Sequence, residues 1–515
     1  MKYLPHILLM LFSITNLNAA DVKWIFETDD SCFGMSAMEY ISGENAYYIS
    51  FGCYRNDGNI YVVNSKTGEL VWKFFTGESA EGCNDTAPLI YDVDDDGYPE
   101  LIVASSCTPK TYCFDLQNGT IKWITNTRGS DSPPVIADLD GDGKLEILHG
   151  QFGGFVVAID ALTGEKLWDK EVDPNSWIQT APTIIDIDGD GLSDFVVANW
   201  SFEEKHRVFA YRGFDQKLLW TRELNGVVYH GFGITDLDKD GMDDIIFGDY
   251  GGTLWALNSK DGSIKWTYQS PLYIGSPVSI GDIDGDDNCE LVFTSHNRVI
   301  ALNHDGSEKW NYVIPDYAHS FRGVALSDMT GNNLKDIVFS SSKGLLSAVE
   351  GTSGNLIWDI DLAEYYGRPL DMNHAPVIGD MDGDGLKDVF IVGGTTDYPD
   401  FSQNYGAGFC VSTNAPANDE WLMFQNNHLR NGNVSPKEPN AINNQNGNFM
   451  IFNNKNLIQI ENIDRNLNIK IINLLGQIIY KGIIESSYFE INIENYQNGF
   501  YILSIDGYNH KFIKF

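Results

Sequence analysis

The sequence predicts an all-β fold: an eight-bladed β-propeller (seven blades is the alternative count) followed by a small C-terminal β-sandwich. Three observations predict it. A nine-residue acidic pattern recurs seven times, a turn closed by tryptophan recurs out of phase with it, and short β-branched segments bounded by turn residues run between the two.

The acidic pattern starts at Asp92, Asp138, Asp186, Asp236, Asp282, Asp328 and Asp380, so successive starts lie 46, 48, 50, 46, 46 and 52 residues apart. The turn pattern ends at Trp72, Trp123, Trp168, Trp220, Trp266, Trp310 and Trp358, with Gly four residues earlier in all but one, where Gln216 stands instead. In one unit PVIADLD enters the acidic loop, LEILHG leaves it, GFVVAID follows and KLWDKE closes. Four strands in fewer than fifty residues make a propeller blade. Trp24 sits in a fourth strand with no first three ahead of it, and the last acidic repeat lacks a fourth strand. Joining the two halves closes a ring of eight and protects the sheet edges. The unit ending at Trp72 has ISGEN where an acidic loop would stand.

The chemistry is carried by the pattern D-x-D-x-D-G-x-x-[D/E]. Its carboxylates are Asp92, Asp94, Asp96 and Glu100; Asp138, Asp140, Asp142 and Glu146; Asp186, Asp188, Asp190 and Asp194; Asp236, Asp238, Asp240 and Asp244; Asp282, Asp284, Asp286 and Glu290; and Asp380, Asp382, Asp384 and Asp388. Hard oxygen ligands in a tight loop suit Ca²⁺. Glycine at the sixth position permits positive φ, and Asp287 and Asn333, which replace it twice, are types that tolerate that conformation. An EF-hand is rejected, because its twelfth-position Glu is replaced by Val103, His149 or Ile391 and strands flank the loop. The loop with Asp328 and Asp336 has Thr330 and Asn332 for two carboxylates and is expected to bind weakly or not at all. About six calcium sites follow.

Composition sets the outer limits. The chain has 515 residues, 43% hydrophobic and 13% aromatic, enough for a large core and unlike a disordered chain. Its 72 acidic against 34 basic residues give a formal charge of −38, which argues against nucleic acid or an anionic membrane as partner. Residues 1–20 read as a secretory signal peptide, with Lys2, an apolar stretch and Ala19–Ala20 at its end, and no later segment reaches transmembrane length. The mature protein is expected outside the cell or on its surface. In that oxidising setting Cys107 and Cys113, bracketing a short loop, are the expected disulfide among seven cysteines.

These loops resemble the FG-GAP or VCBS repeats of integrin-α-type propellers. ALNSKDGSIKW and its relatives resemble the repeat of quinoprotein-type (PQQ-like) propellers, and WLMFQNNHLRNG at Trp421–Gly432 resembles the closing segment of bacterial proteins of this mixed kind. The resemblance covers residues 21–432 and implies acidic loops between strands 1 and 2 of each blade, with the 2–3 and 4–1 loops opposite. The tryptophans are expected to dock neighbouring blades. The vicinal Cys-Cys of many quinone-dependent alcohol dehydrogenases is missing, and no PQQ is expected.

Residues 433–447 form a polar linker rich in Asn and Pro. Beyond it, residues 448–515 alternate as short strands; NLLGQIIY, NGFYILSI and the terminal KFIKF resemble the type A C-terminal sorting domain of type IX secretion cargo. That resemblance implies handling by the type IX secretion machinery.

For a ligand, the 2–3 loop at Gly393–Gly408 offers Tyr398, Phe401 and Tyr405, and the 4–1 loops offer Asp85, His230, Arg322 and His374 near the central channel. The leading reading is a non-enzymatic calcium-binding propeller used in adhesion or in recognition of glycan or protein ligands. The second is a secreted carbohydrate-active enzyme, polysaccharide lyase-like, using the face opposite the calcium loops. No residue is assigned a catalytic role.

Overall fold

The computed structural model describes residues 20–433 apart from 78–81, 204 and 397–399. Further on it describes 450–454, 457–461, 467–473, 478–484, 488–493, 496, 499–505 and 508–514. Residues 1–19 of the expected signal peptide (1–20), the linker beyond Asn433 and Tyr398 lie outside the described residues. The chain divides into two compact units, Met1–Asp188 with Ser193–Val434, and Ser435–Phe515 with the short Gly189–Leu192 segment. Among the described residues no helix is long and apolar enough to cross a membrane.

Among the described residues, the first unit contains eight four-stranded antiparallel sheets in a propeller-like arrangement, with a two-stranded ribbon of Ser176–Trp177 and Trp200–Ser201 beside them. In chain order they span 37–75, 89–126, 135–171, 183–223, 233–269, 279–313 and 325–361; the eighth combines 377–416 with 20–28. The strand carrying Trp24 thus pairs with Tyr405–Pro416, from Ala20 opposite Thr413 to Thr28 opposite Gly406. In the second to seventh sheets the first strand is three residues long and buried, with only Tyr91 half-buried; the outermost strand mixes exposed and half-buried positions, as in Leu218–Glu223. Mixed exposure on the rim and continuous apolar runs inside are what a strand buried on one face, or on both, requires.

Tryptophans fasten seven of the eight sheets to the next. The indole Nε1 of Trp24 donates to Ser65 O, Trp72 to Leu116 O, Trp123 to Ala161 O, Trp220 to Ser259 O and Trp310 to Gly351 O, at 2.6–2.9 Å. Each acceptor lies in the turn before the outermost strand of the following sheet. The turn glycine sits under the same indole, so a Cβ there would come within 2.6–2.8 Å of ring carbons at Gly68, Gly119, Gly164, Gly262, Gly306 and Gly354. This is why Gly recurs four residues before Trp. At the exception, Gln216 adopts φ +52° and Trp168 stacks on Phe195 of the following sheet.

Residues 418–433 bind the innermost strands of seven sheets and, in the second sheet, the residue just ahead of that strand. Ser327 donates to Asp419, and Trp421 exchanges two backbone bonds with Ile378. Met38 N donates to Leu422 O, Ile136 N to His428 O, Ile234 N to Asn431 O and Ile280 N to Gly432 O. Thr183 donates to Arg430 O. Arg430, fully buried, donates to Pro88 O, Pro134 O and Phe424 O. Asn433, expected in the linker, is buried and donates to Ile234 O, so the ordered segment outlasts that boundary.

The second unit holds a three-stranded sheet (Met450–Asn454, Leu457–Glu461, Tyr488–Asn492) and a four-stranded one (Leu467–Asn473, Ile478–Ile484, Gly499–Ile505, Tyr508–Lys514). Ile458 and Ile491 from the first share one apolar cluster with Ile469, Ile471 and Leu503 from the second.

The expected Cys107–Cys113 disulfide does not form. Cys107 is bonded to Cys83, and Cys113 is a free, buried thiol. Cys113 lies inside the strand Lys110–Asp115 opposite Ile102, while Cys83 and Cys107 lie in loops at one end of the second sheet. Proximity along the chain gave way to proximity in space.

Candidate metal loops and a candidate ligand face

Each acidic loop joins the first and second strands of its sheet, and its ninth residue is buried at the start or near the start of the second strand. That carboxylate pins the loop. Glu100, Glu146, Asp194, Asp244, Glu290, Asp336 and Asp388 each accept the backbone N–H of the loop's second residue at 2.8–3.1 Å. The sixth residue has φ between +65° and +93° in all seven loops, Asp287 and Asn333 included. The fourth residue is also left-handed everywhere, including Asp95 and Lys239, which the pattern alone did not disclose.

Asp138, Asp140 and Glu146 bring one oxygen each within 4.8 Å of one another; so do Asp186, Asp188 and Asp194, Asp236, Asp238 and Asp244, and Asp282, Asp284 and Glu290. In the first loop the group is Asp92, Asp94 and Asp96. The fifth-position carboxylate has a further duty in every one of these loops: one oxygen of Asp96, Asp142, Asp190, Asp240, Asp286 and Asp384 accepts the amide of the seventh residue. These groups could hold a metal ion, and their electrostatics fit one. Desolvation, with neighbouring carboxylates, pushes Glu146 and Glu290 up to about 7, and desolvation pushes Asp244 and Asp388 up to about 6. Asp94 Oδ1 is buried without a hydrogen-bond partner. Carboxylates gathered without enough positive charge favour their neutral form, which a bound cation would reverse.

Part of that charge is met from within. In four sheets a lysine directly precedes the docking tryptophan and reaches back into the same sheet's loop. Lys122 pairs with Asp94 and Glu100, Lys265 with Asp238 and Asp244, Lys309 with Asp284 and Glu290, and Lys23 with Asp382 and Asp388. The sheet without an acidic loop has Val71 at this position.

The degenerate loop keeps the amide bonds seen at Asp138, Asp282 and Asp380 and adds a partner from outside the loop. Asp328 Oδ1 accepts Gly331 N at 2.7 Å, and Oδ2 accepts Asn333 N and Asn418 Nδ2, each at 2.7 Å. Lys335 and Lys387 both pair with Asp419. Against the desolvation that would raise it, these hydrogen bonds hold Asp328 below its usual range.

The opposite face gathers one residue from each 4–1 connection, three or four positions ahead of the innermost strand: Phe33, Asp85, Asp131, Gln179, His230, Gly275, Arg322 and His374. Arg322 is the hub. Its Nη1 donates to Phe33 O and Asp85 O, and its backbone bridges His374. Gln179 Nε2 donates to Asp131 Oδ2 at 2.9 Å. Desolvation, then the Asp131 charge, pushes Asp85 up to about 7. Desolvation, then Arg322, pushes His230 and His374 well below the usual histidine range, so both imidazoles are neutral. Asp85 Oδ1, His230 Nε2, His374 Nδ1 and Gln179 Oε1 are buried without hydrogen-bond partners. Buried polar atoms seek partners, and four in one place mark a site for water or a polar ligand.

Aromatic rings border this centre. Trp200 meets Tyr229 and Tyr250 edge-on, with centroids 5.5 Å apart, and Tyr250 meets Tyr273 at 5.4 Å. Phe202 is 56% exposed. Asp85, His230, Arg322 and His374 are therefore brought together. Phe401 and Tyr405 are not part of the ring: Phe401 packs under Arg55, and Tyr405 lies under Arg368 with its hydroxyl donating to Pro369 O. Asp131 and Gln179 were not foreseen. Their signal was register, since they stand one and two repeats beyond Asp85, ahead of Ser-Pro-Pro and Thr-Ala-Pro where Asp85 precedes Thr-Ala-Pro.

Four family profiles match parts of the chain. They are the FG-GAP-like repeat over residues 92–149, the lambda-carrageenase beta-propeller domain over 195–278, the outer membrane protein assembly factor BamB over 279–404, and the secretion system C-terminal sorting domain over 448–515. The composite of FG-GAP and PQQ-like repeats with a sorting domain is thus present, and the sorting domain marks a secreted protein with cell-surface attachment. Tetrathionate hydrolase of Acidithiobacillus ferrooxidans is 26% identical over 168 residues, 30% of each chain. Lambda-carrageenase of Pseudoalteromonas carrageenovora is 38% identical over 78 residues, 15% of this chain and 8% of that one. The matched stretches span less than a third of these relatives. A quinohemoprotein alcohol dehydrogenase from Pseudomonas putida HK5 shares the fold at TM-score 0.54 and 12% identity, covering 78% of this chain and 77% of the other.

Proposed function

We propose that this secreted protein is a calcium-stabilised, eight-bladed propeller that recognises a glycan or protein ligand on the face opposite its acidic loops. Oxygen-only ligand sets in tight loops favour Ca²⁺, and extracellular calcium fills even weak sites of about 10⁻⁴–10⁻³ M affinity. The ions would stiffen one end of six of the sheets and leave the other end free for binding. The C-terminal unit acts as the sorting sandwich that delivers the propeller.

The observation that carries recognition is the convergence at Arg322: a cation, two neutral imidazoles, two carboxylates and the Gln179 amide, with unpartnered polar atoms on Asp85, Gln179, His230 and His374, bordered by Trp200, Tyr229 and Tyr250. Polar groups that fix orientation inside an aromatic rim suit sugar hydroxyls and ring faces. A second reading, a carbohydrate-active enzyme, is favoured by the match of residues 195–278 to the lambda-carrageenase propeller profile. One experiment separates them. The protein is screened against a polysaccharide panel for both binding and chain cleavage, with Arg322→Ala and His230→Ala beside it. Binding without cleavage, weakened tenfold or more by Arg322→Ala, supports recognition. Cleavage abolished by either substitution supports the enzyme, and binding indifferent to Arg322→Ala overturns this site.

A further inference from the structure

Two cysteines outside the formed disulfide face each other. Cys32 Sγ and Cys53 Sγ lie 2.7 Å apart, and both residues are fully buried. The backbones beside them are already joined, with Tyr54 N donating to Ser31 O at 2.9 Å and Asn56 N to Asp30 Oδ2 at 3.0 Å.

Their place in the repeat is informative. Cys32 stands in the connection entering the first sheet, five residues before Ala37, and Cys53 directly follows that sheet's second strand, Ala46–Gly52. Cys83 stands in the connection entering the second sheet, six residues before Leu89, and Cys107 follows that sheet's second strand, Glu100–Ala104. The two pairs bridge the same two connections in successive sheets, within one or two positions of each other in the repeat, and Cys83–Cys107 is bonded.

We propose that Cys32 and Cys53 form a second disulfide in the exported protein. The two thiols lose two protons and two electrons. One thiolate attacks the disulfide of a thiol oxidase of the export compartment, and the other then displaces that enzyme, which leaves as its dithiol. A bonded pair of sulfurs lies about 2.05 Å apart, so closure needs only a small approach of side chains whose backbones are already paired.

The cross-link has a consequence at the ligand face. Arg322 Nη1 donates to Phe33 O, next to Cys32, and to Asp85 O, two residues beyond Cys83. The paired disulfides therefore hold both carbonyls that aim the guanidinium. The bond also ties the chain just after the strand Ala20–Thr28, which completes the eighth sheet, to the first sheet.

The test is a peptide map of the full chain, secreted through an oxidising compartment, unfolded, alkylated without reductant and digested. The expected result is a Cys32 peptide joined to a Cys53 peptide, a Cys83 peptide joined to a Cys107 peptide, and alkylation confined to Cys113, Cys289 and Cys410. Alkylated Cys32 and Cys53, or either one joined elsewhere, overturns the proposal. A Cys32→Ser, Cys53→Ser double variant that folds is expected to melt several degrees lower than the parent under non-reducing conditions. An unchanged melting temperature counts against a stabilising bond.

Discussion

The indole of Trp123 rests against Gly164, the turn glycine of the following sheet, where an added Cβ would stand 2.6 Å from Trp123 Cγ. The Gly164 φ of +73° compounds the steric problem. Gly164→Ala is expected to cost about 2–4 kcal/mol, through overpacking and backbone strain together. Gly97→Asn is the control. A Cβ at Gly97 meets nothing within 4 Å, and Asn333 already fills the equivalent position with φ +65°, so less than about 1 kcal/mol should be lost. Denaturant midpoints of the two variants check the pair; equal losses would refute sheet docking as the reason for the glycine.

Calcium should raise the melting temperature, and a chelator should lower it. A single site filled at 100 times its Kd contributes about 2.7 kcal/mol. Metal analysis is expected to find about six ions per chain. Asp138→Asn should remove one ion, whereas Asp328→Asn should remove none, because Asn418 donates to Asp328 and Thr330 and Asn332 stand where two carboxylates would be. Loss of an ion from the latter variant would show that the degenerate loop binds metal.

Asp85 makes stability depend on pH. Its folded value of about 7 lies above the ordinary 3.8, so between those values the folded state holds a proton that the unfolded state has released. Stability from this group therefore falls as pH rises from about 4 to 7. Asp85→Asn should flatten that slope and raise stability at neutral pH. The Arg322 bond to residue 85 is to the backbone carbonyl and survives the change. Melting curves across that pH range, parent against variant, give the answer; an unchanged slope would exclude Asp85 as its source.

Arg430 should be intolerant of substitution. Its buried guanidinium serves three carbonyls, Pro88 O at 2.9 Å, Pro134 O at 3.2 Å and Phe424 O at 2.6 Å, and burial pulls its pKa down to about 9. Arg430→Met leaves three acceptors unpaired and should cost about 3–5 kcal/mol. Arg430→Lys should rescue only part, since an ammonium lacks the planar fork. Urea unfolding of both variants is the measurement, and full rescue by lysine would count against the geometric argument.

Much of this was legible in the residues. The acidic pattern identified loops between strands, and Asp287 and Asn333 could be read as left-handed because the sixth position demands it. Trp24 could be assigned to the last sheet because the repeat left one strand short at each end. Other features were not legible. Cys113 faces the interior of its strand, and a strand residue cannot be told from a loop residue by counting six positions. Lys122 and Lys265 read as surface charges until the outer strand was laid beside its own acidic loop. Asp131 and Gln179 carried a register signal that chemistry alone did not single out.

The sequence by itself determined the repeat, the loop chemistry and the secretion domain, because each is written in contiguous residues whose spacing sets turn geometry and ligand type. Only the tertiary structure decided that Arg430 ties the closing segment to the innermost strands and that Arg322 is aimed by Phe33 and Asp85. It alone placed Cys83 with Cys107 and Cys32 beside Cys53. These are contacts between loops of different sheets, and which loops meet is set by how the sheets dock, which no local pattern encodes.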